Sequence, residues 1–143
     1  MNIHKTNKGI HIIDDTYNAN PGSMQAAIGT LTALRGKNRG FLIIGDMLEL
    51  GEHSENLHRL IGSVAAESNI AGLYVTGNFA DAVAAGALKE RMDSETIFKG
   101  NREEILKAVT KKLEAGDWVL VKGSRGMAME MVVEGLLAWA GNQ

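Results

Sequence analysis

Asp14 and Asp15 stand side by side where an apolar run ends, and Asn18 and Asn20 follow just ahead of the chain's only proline. One carboxylate in such a place is ordinary turn chemistry. Two at the carboxyl end of a buried segment point toward a ligand. Asn20 carries a second meaning, because an asparagine directly before Pro21 suits a helix N-cap, and both roles stay open. The segment "GDMLELGEHSENLH" (45–58) adds Asp46 and Glu49, a pair suited to a cationic or amine-bearing ligand. Its histidines, His53 and His58, are spaced so that a helix would not stack them as ligands, so no metal site is expected and His58 reads as a helix-surface residue. In "VLVKGSRGMAME" (119–130), a buried strand delivers Lys122, Ser124 and Arg125 into a glycine-bounded loop before a helix. Two cations, a hydroxyl and free N–H groups there suit an anion.

These residues need elements to hold them. Apolar, β-rich runs at 9–15, 39–46, 71–77, 94–100 and 117–123 each end in polar or glycine residues. Between them lie segments with helical spacing: Met24, Ala27, Ile28 and Leu31 form one stripe, and Leu57, Leu60, Ile61 and Val64 a second. Ile105, Leu106, Val109 and Leu113 form a third, and Met129, Val132, Val133, Leu136 and Leu137 a fourth. The alanine-rich segment 78–89 is weaker, with Asn78 and Asp81 as its cap, and Asn101 with Glu104 makes a capping box. Strand and helix alternate, and the strands are near-continuous apolar runs. The expectation is an α/β three-layer Rossmann-like fold: five parallel strands, helices on both faces, and a short antiparallel strand from "NIHKT". Residues 1–143 read as a single domain. In open α/β sheets ligands bind outside the carboxyl ends of the strands. All three polar segments fall on that edge.

Composition narrows the classes. A formal net charge of −2 gives no electrostatic case for nucleic acid or an anionic membrane. The absence of cysteine removes disulfides, thiolate metal sites and cysteine nucleophiles, and fits a cytoplasmic location. There is no apolar run long enough for a membrane helix, and neither a GxxxxGK[ST] nor a GxGxxG loop. His4, Lys5, Lys8 and His11 read as exposed hairpin residues, and Trp118 and Trp139 as core.

The segments "DDTYNANPGSM", "GDMLELG" with its following histidine, and "VLVKGSRGMAME", in this order, resemble the C-terminal domain of the Mur ligase family. The likeness covers nearly the whole chain and is closest to the branch that adds a dipeptide. It implies an ATP- and Mg2+-dependent ligase that activates a carboxylate as an acyl phosphate for attack by an amine. It further implies D-alanyl-D-alanine as the amine and a UDP-N-acetylmuramoyl tripeptide as the acceptor, in peptidoglycan precursor synthesis by a monomer. Under this likeness Asp15, with Asp14 as fallback, contacts the ATP ribose hydroxyls, and Asn18 and Asn20 lie near the nucleotide. Asp46 and Glu49 receive the dipeptide ammonium, while Lys122, Ser124 and Arg125 hold its carboxylate or developing phosphate charge. The phosphate-binding loop and the uridine-nucleotide domain of such ligases have no counterpart here, so the chain reads as an excised domain that is inactive alone. Two alternatives stand beside it. A phospho-acceptor receiver domain would use Asp14, Asp15, Asp46, Thr76 and Lys122, although Asp46 follows the second parallel strand where an acceptor should follow the third. A stand-alone binding module is the other.

Overall fold

The computed structural model describes residues 1–141. Its elements run β1 (Asn2–Lys5), β2 (His11–Asp15), α1 (Pro21–Arg35), β3 (Gly40–Ile44), α2 (Ser54–Glu67), β4 (Gly72–Val75), α3 (Ala80–Lys89), β5 (Ile97–Lys99), α4 (Arg102–Thr110), β6 (Trp118–Lys122) and α5 (Glu130–Trp139). The strands form one sheet in the order β1-β2-β6-β3-β4-β5. β1 pairs antiparallel with β2, and every other pairing is parallel. This is the expected three-layer architecture, including the N-terminal hairpin.

Strand alternation divides the core in two. Ile13, Leu120, Leu42, Leu73 and Val75 face α1, α2 and α3. Ile12, Val119, Val121, Phe41, Ile43 and Tyr74 face α4 and α5. β6 lies between β2 and β3, yet its following helix belongs to the second face while α1 and α2 cover the first. Strand order and helix side therefore switch around β6, which opens a crevice above its carboxyl end.

The helical stripes hold with one rotation. In α2 the buried residues are Ser54, His58, Ile61, Gly62 and Ala65, while Leu60 is 43% exposed. The cause is a close helix crossing. A Cβ on Gly62 would collide with the Val83 carbonyl oxygen, and one on Gly86 with that of Arg59. α2 and α3 thus touch backbone to backbone, which turns Leu60 outward and His58 inward. His58 is 1% exposed, not a surface residue.

His11 also departs from expectation. Its ring lies against Trp118 with centroids 4.1 Å apart and an interplanar angle of 7°, and its buried Nδ1 has no partner among the described residues. Burial, and then the nearby Lys5 ammonium, hold its pKa below the ordinary 6.5. The unfolded chain therefore takes up a proton below pH 6.5 that the folded chain refuses, so stability present above that pH is lost as pH falls toward the folded pKa. Denaturant titrations over this range should show His11→Phe, which keeps the stack, with a shallower acid loss than the unaltered chain.

Candidate functional site

Three loops converge above the carboxyl ends of β2, β3 and β6. The parallel register sets Asp15 directly beside Lys122 and Lys122 beside Ile44. Alternation turns Lys122 into the α1–α3 core, where its side chain is 2% exposed. A buried ammonium needs partners. Lys122 Nζ donates to Asp15 Oδ2 at 2.8 Å and to the Asn18 carbonyl at 2.9 Å. Lys122 is thus not a ligand-facing cation as the sequence reading had it. It ties the 15–18 loop to the sheet.

The rest of that loop is spent on its own shape. Asp14 Oδ1 accepts from the Thr16 hydroxyl and N–H, and Asn18 Oδ1 accepts from Ala19 N–H. Asn20 makes a reciprocal capping box with Ser23 at the start of α1, so the structural half of its two readings holds. What faces outward is the second oxygen of Asp15, whose side chain is 19% exposed, together with the Asn18 amide and the Tyr17 ring. Tyr17 is 72% exposed and stands 5.1 Å from the Arg125 guanidinium.

The turn after β3 is clamped at successive residues. Gly45 N–H donates to the Lys122 carbonyl. Asp46 is buried, and its two carboxylate oxygens accept from Asn78 N–H at 2.8 Å and Phe79 N–H at 3.0 Å. Asp46 therefore caps the start of α3 from a distant loop, in place of the expected Asn78–Asp81 cap, and, buried there, it offers no exposed oxygen to an ammonium or a phosphoryl group. That removes both the ammonium role assigned to Asp46 and the receiver alternative. A side chain on Gly77, whose φ is +108°, would drive into this carboxylate.

Met47 N–H donates to His58 Nε2 at 2.9 Å, so that nitrogen is unprotonated and Nδ1–H donates to the Ser54 carbonyl at 2.6 Å. The imidazole is stacked on Phe79 with centroids 4.4 Å apart. Leu48 N–H donates to Ser124 Oγ at 2.8 Å, and Ser124 N–H donates to the Asp46 carbonyl. Ser124 Oγ also lies 3.4 Å from the Ala19 carbonyl, so one buried hydroxyl joins all three loops. Beyond the clamp the chain turns through Glu49 at φ +64°, a left-handed conformation costly for a residue with a side chain. Glu49 is exposed at the lip of a cavity of about 200 Å³ that Asn18, Leu48, Ser124, Arg125 and Gly126 also line.

Of the residues singled out from the sequence, Asp15, Asn18, Glu49 and Arg125 present groups to this edge, and Ser124 lines it while serving as a brace. Asp14, Asn20, Asp46 and Lys122 shape it from behind. His58 was missed because helical spacing alone put it on the solvent side. Among the described residues no three His, Asp or Glu side chains gather into a set able to hold a metal ion.

A three-layer α/β sheet with a polar crevice over its central strands defines a ligand-binding domain of the Rossmann-like class. The family model described as Mur ligase, glutamate ligase domain matches residues 1–125, and the chain belongs to that family. It is 36% identical over 137 residues to the UDP-N-acetylmuramoyl-tripeptide–D-alanyl-D-alanine ligase of Bacillus subtilis, covering 96% of this chain and 30% of that protein. The Escherichia coli ligase of the same name is 36% identical over 126 residues, covering 87% of this chain and 26% of that one. Among solved structures, the MurF ligase of Thermotoga maritima in complex with ADP superposes with a TM-score of 0.81 at 32% identity, over 98% of this chain and 30% of that one. The chain thus spans between 26% and 30% of the length of these relatives.

The His58 contact yields a direct test. His58→Phe keeps the ring over Phe79 but orphans the Met47 N–H, and should destabilise the chain by about 1–3 kcal/mol in urea denaturation. Amide exchange at Met47 should accelerate in that variant and slow again in His58→Gln, which restores an acceptor.

Proposed function

We propose that residues 1–143 are the C-terminal domain of an ATP-dependent ligase that joins D-alanyl-D-alanine to a UDP-N-acetylmuramoyl tripeptide. The observation that carries this reading is the coincidence of two findings. The relatives that match nearly the whole chain bear that activity in their names, and the edge built here sets the Glu49 carboxylate and the Arg125 guanidinium around one small cavity.

In this reaction an acceptor carboxylate oxygen attacks the terminal phosphorus of ATP, giving an acyl phosphate and ADP. The dipeptide amine, having lost a proton, then attacks the acyl carbon, and inorganic phosphate leaves as the peptide bond forms. Most of that machinery belongs to the parts of such ligases that this chain does not span. The residues present fit a contribution from one side. The free oxygen of Asp15 offers an acceptor for ribose hydroxyls and the Asn18 amide adds donors, both held in place by Lys122. Glu49 replaces Asp46 as the group for the dipeptide ammonium, and Arg125 supplies positive charge on the same rim. Mg2+ would travel with the nucleotide phosphates, since no carboxylate set for it exists among the described residues. The same reading makes the protein a monomeric cytoplasmic enzyme, where ATP is at hand. No helix among the described residues is long and apolar enough to cross a membrane.

Phosphate release with ATP, Mg2+, the UDP-linked tripeptide and D-alanyl-D-alanine provides the test. The 143-residue chain alone should release none, and a full-length protein bearing it should release phosphate only when both the tripeptide and the dipeptide are present. Asp15→Ala in the full-length protein should lower turnover at subsaturating ATP by roughly tenfold or more, the scale of a lost hydrogen bond to a charged group. Dipeptide-independent turnover, or turnover by the chain alone, would contradict the assignment.

A further inference from the structure

A second cavity, of about 350 Å³, opens on the same edge between the end of β4 and the start of α4. Thr76, Asn101, Arg102, Gly126, Met127 and Ala128 line it. Its volume lies in the range of small-molecule sites, about 300–1,000 Å³. One cation and no carboxylate face it.

Two features mark it as a site for an anion. Arg102, the first residue of α4, donates from Nη1 to the Met127 and Ala128 carbonyls at 3.3 and 3.1 Å. The turn that presents those carbonyls is closed by Ala128 at φ +51°, a conformation kept at a local cost. The guanidinium is thereby fixed, while its Nε–H and Nη2 edge has no partner among the described residues. That edge is the fork that meets a carboxylate with two parallel hydrogen bonds. Thr76, in turn, is 9% exposed and lines the cavity, and its hydroxyl has no hydrogen-bond partner among the described residues. The hydroxyl is open to the cavity, a donor and an acceptor free for a ligand there. The helix end itself is not the attraction, because Asn101 and Glu104 already cap each other there.

Gly126 belongs to both cavities, so they share a wall. One holds an exposed carboxylate, Glu49, and the other holds the fixed Arg102. A zwitterionic dipeptide has the matching pair of charges at its two ends.

Resting on the ligase reading above, we infer that Arg102 and Thr76 bind the terminal carboxylate of the dipeptide substrate, while Glu49 takes its ammonium across Gly126. Arg102 then selects for a free carboxyl terminus.

The test is an NMR titration of the 143-residue chain with three probes: D-alanyl-D-alanine, its C-terminal amide, and its N-acetyl derivative. The unaltered chain should bind the dipeptide roughly tenfold or more tightly than the amide, with shifts at Arg102 Nε and Thr76 N. Arg102→Met should abolish the preference over the amide and keep the preference over the N-acetyl form; Glu49→Gln should do the reverse. Equal binding of dipeptide and amide by the unaltered chain, discrimination that survives Arg102→Met, or no binding of any probe would overturn the inference. Arg102-dependent binding of the N-acetyl form without binding of the dipeptide would uphold a carboxylate site and contradict the dipeptide reading.

Discussion

A lysine side chain that the sheet register turns into the core governs the ligand edge. Lys122 ends β6, the strand around which helix side and strand order switch, and its side chain, 2% exposed, lies on the sheet face that carries the first core. Removing such a charge from water costs several kcal/mol, and attraction to a partner offsets that only when geometry is good and hydrogen bonds are satisfied. Asp15 and the Asn18 carbonyl meet that need. The consequence is positional. The same contacts that neutralise Lys122 fix the strand-to-helix loop after β2, so that the remaining oxygen of Asp15 and the Asn18 side chain face outward in one arrangement.

The other two loops obey the same logic with neutral groups. From Gly45 to Leu48 the N–H groups of Gly45, Met47 and Leu48 and the Asp46 carboxylate are all directed inward, to Lys122, His58, Ser124 and the turn that starts α3. Only after that does Glu49 emerge, in a left-handed conformation that the preceding clamp enforces. Ser124 then closes the set by bonding to the turns on both sides. Rigid support behind a few exposed groups is what a binding edge needs, because ordering them in advance lowers the entropic cost when a ligand arrives. The three loops also carry both signs of charge to the same rim, which suits a substrate with an ammonium at one end and a carboxylate at the other.

The sheet and its edge were legible in the sequence because branched apolar runs buried on both faces leave a clear signal, and because ligand sites in this architecture follow strand ends. The antiparallel first strand was legible from the turn at Asn7–Gly9, the capping reading of Asn20 from the proline after it, and the box at Asn101–Glu104 from local spacing. The direction of Lys122 was not, since its partner comes from register between strands far apart in the chain. Asp46 was misread for the same reason: it accepts from the two residues just ahead of α3, which lie 32 and 33 positions away. His58 faces inward only because two glycines let α2 and α3 touch, a tertiary fact that helical periodicity does not contain. Nothing in its sequence neighbourhood singles out Arg102, and only the 125–128 turn folding over it reveals its free edge.

If Lys122 and Asp15 together set the edge, their effects on stability must be coupled. A double-mutant cycle with Lys122→Met, Asp15→Asn and the combination, followed by urea denaturation, measures this directly. The structure predicts that the double variant recovers part of the loss of Lys122→Met, with a coupling of about 1–3 kcal/mol. Losses that simply add, to within about 0.5 kcal/mol, would show the two side chains to be independent and would contradict the account.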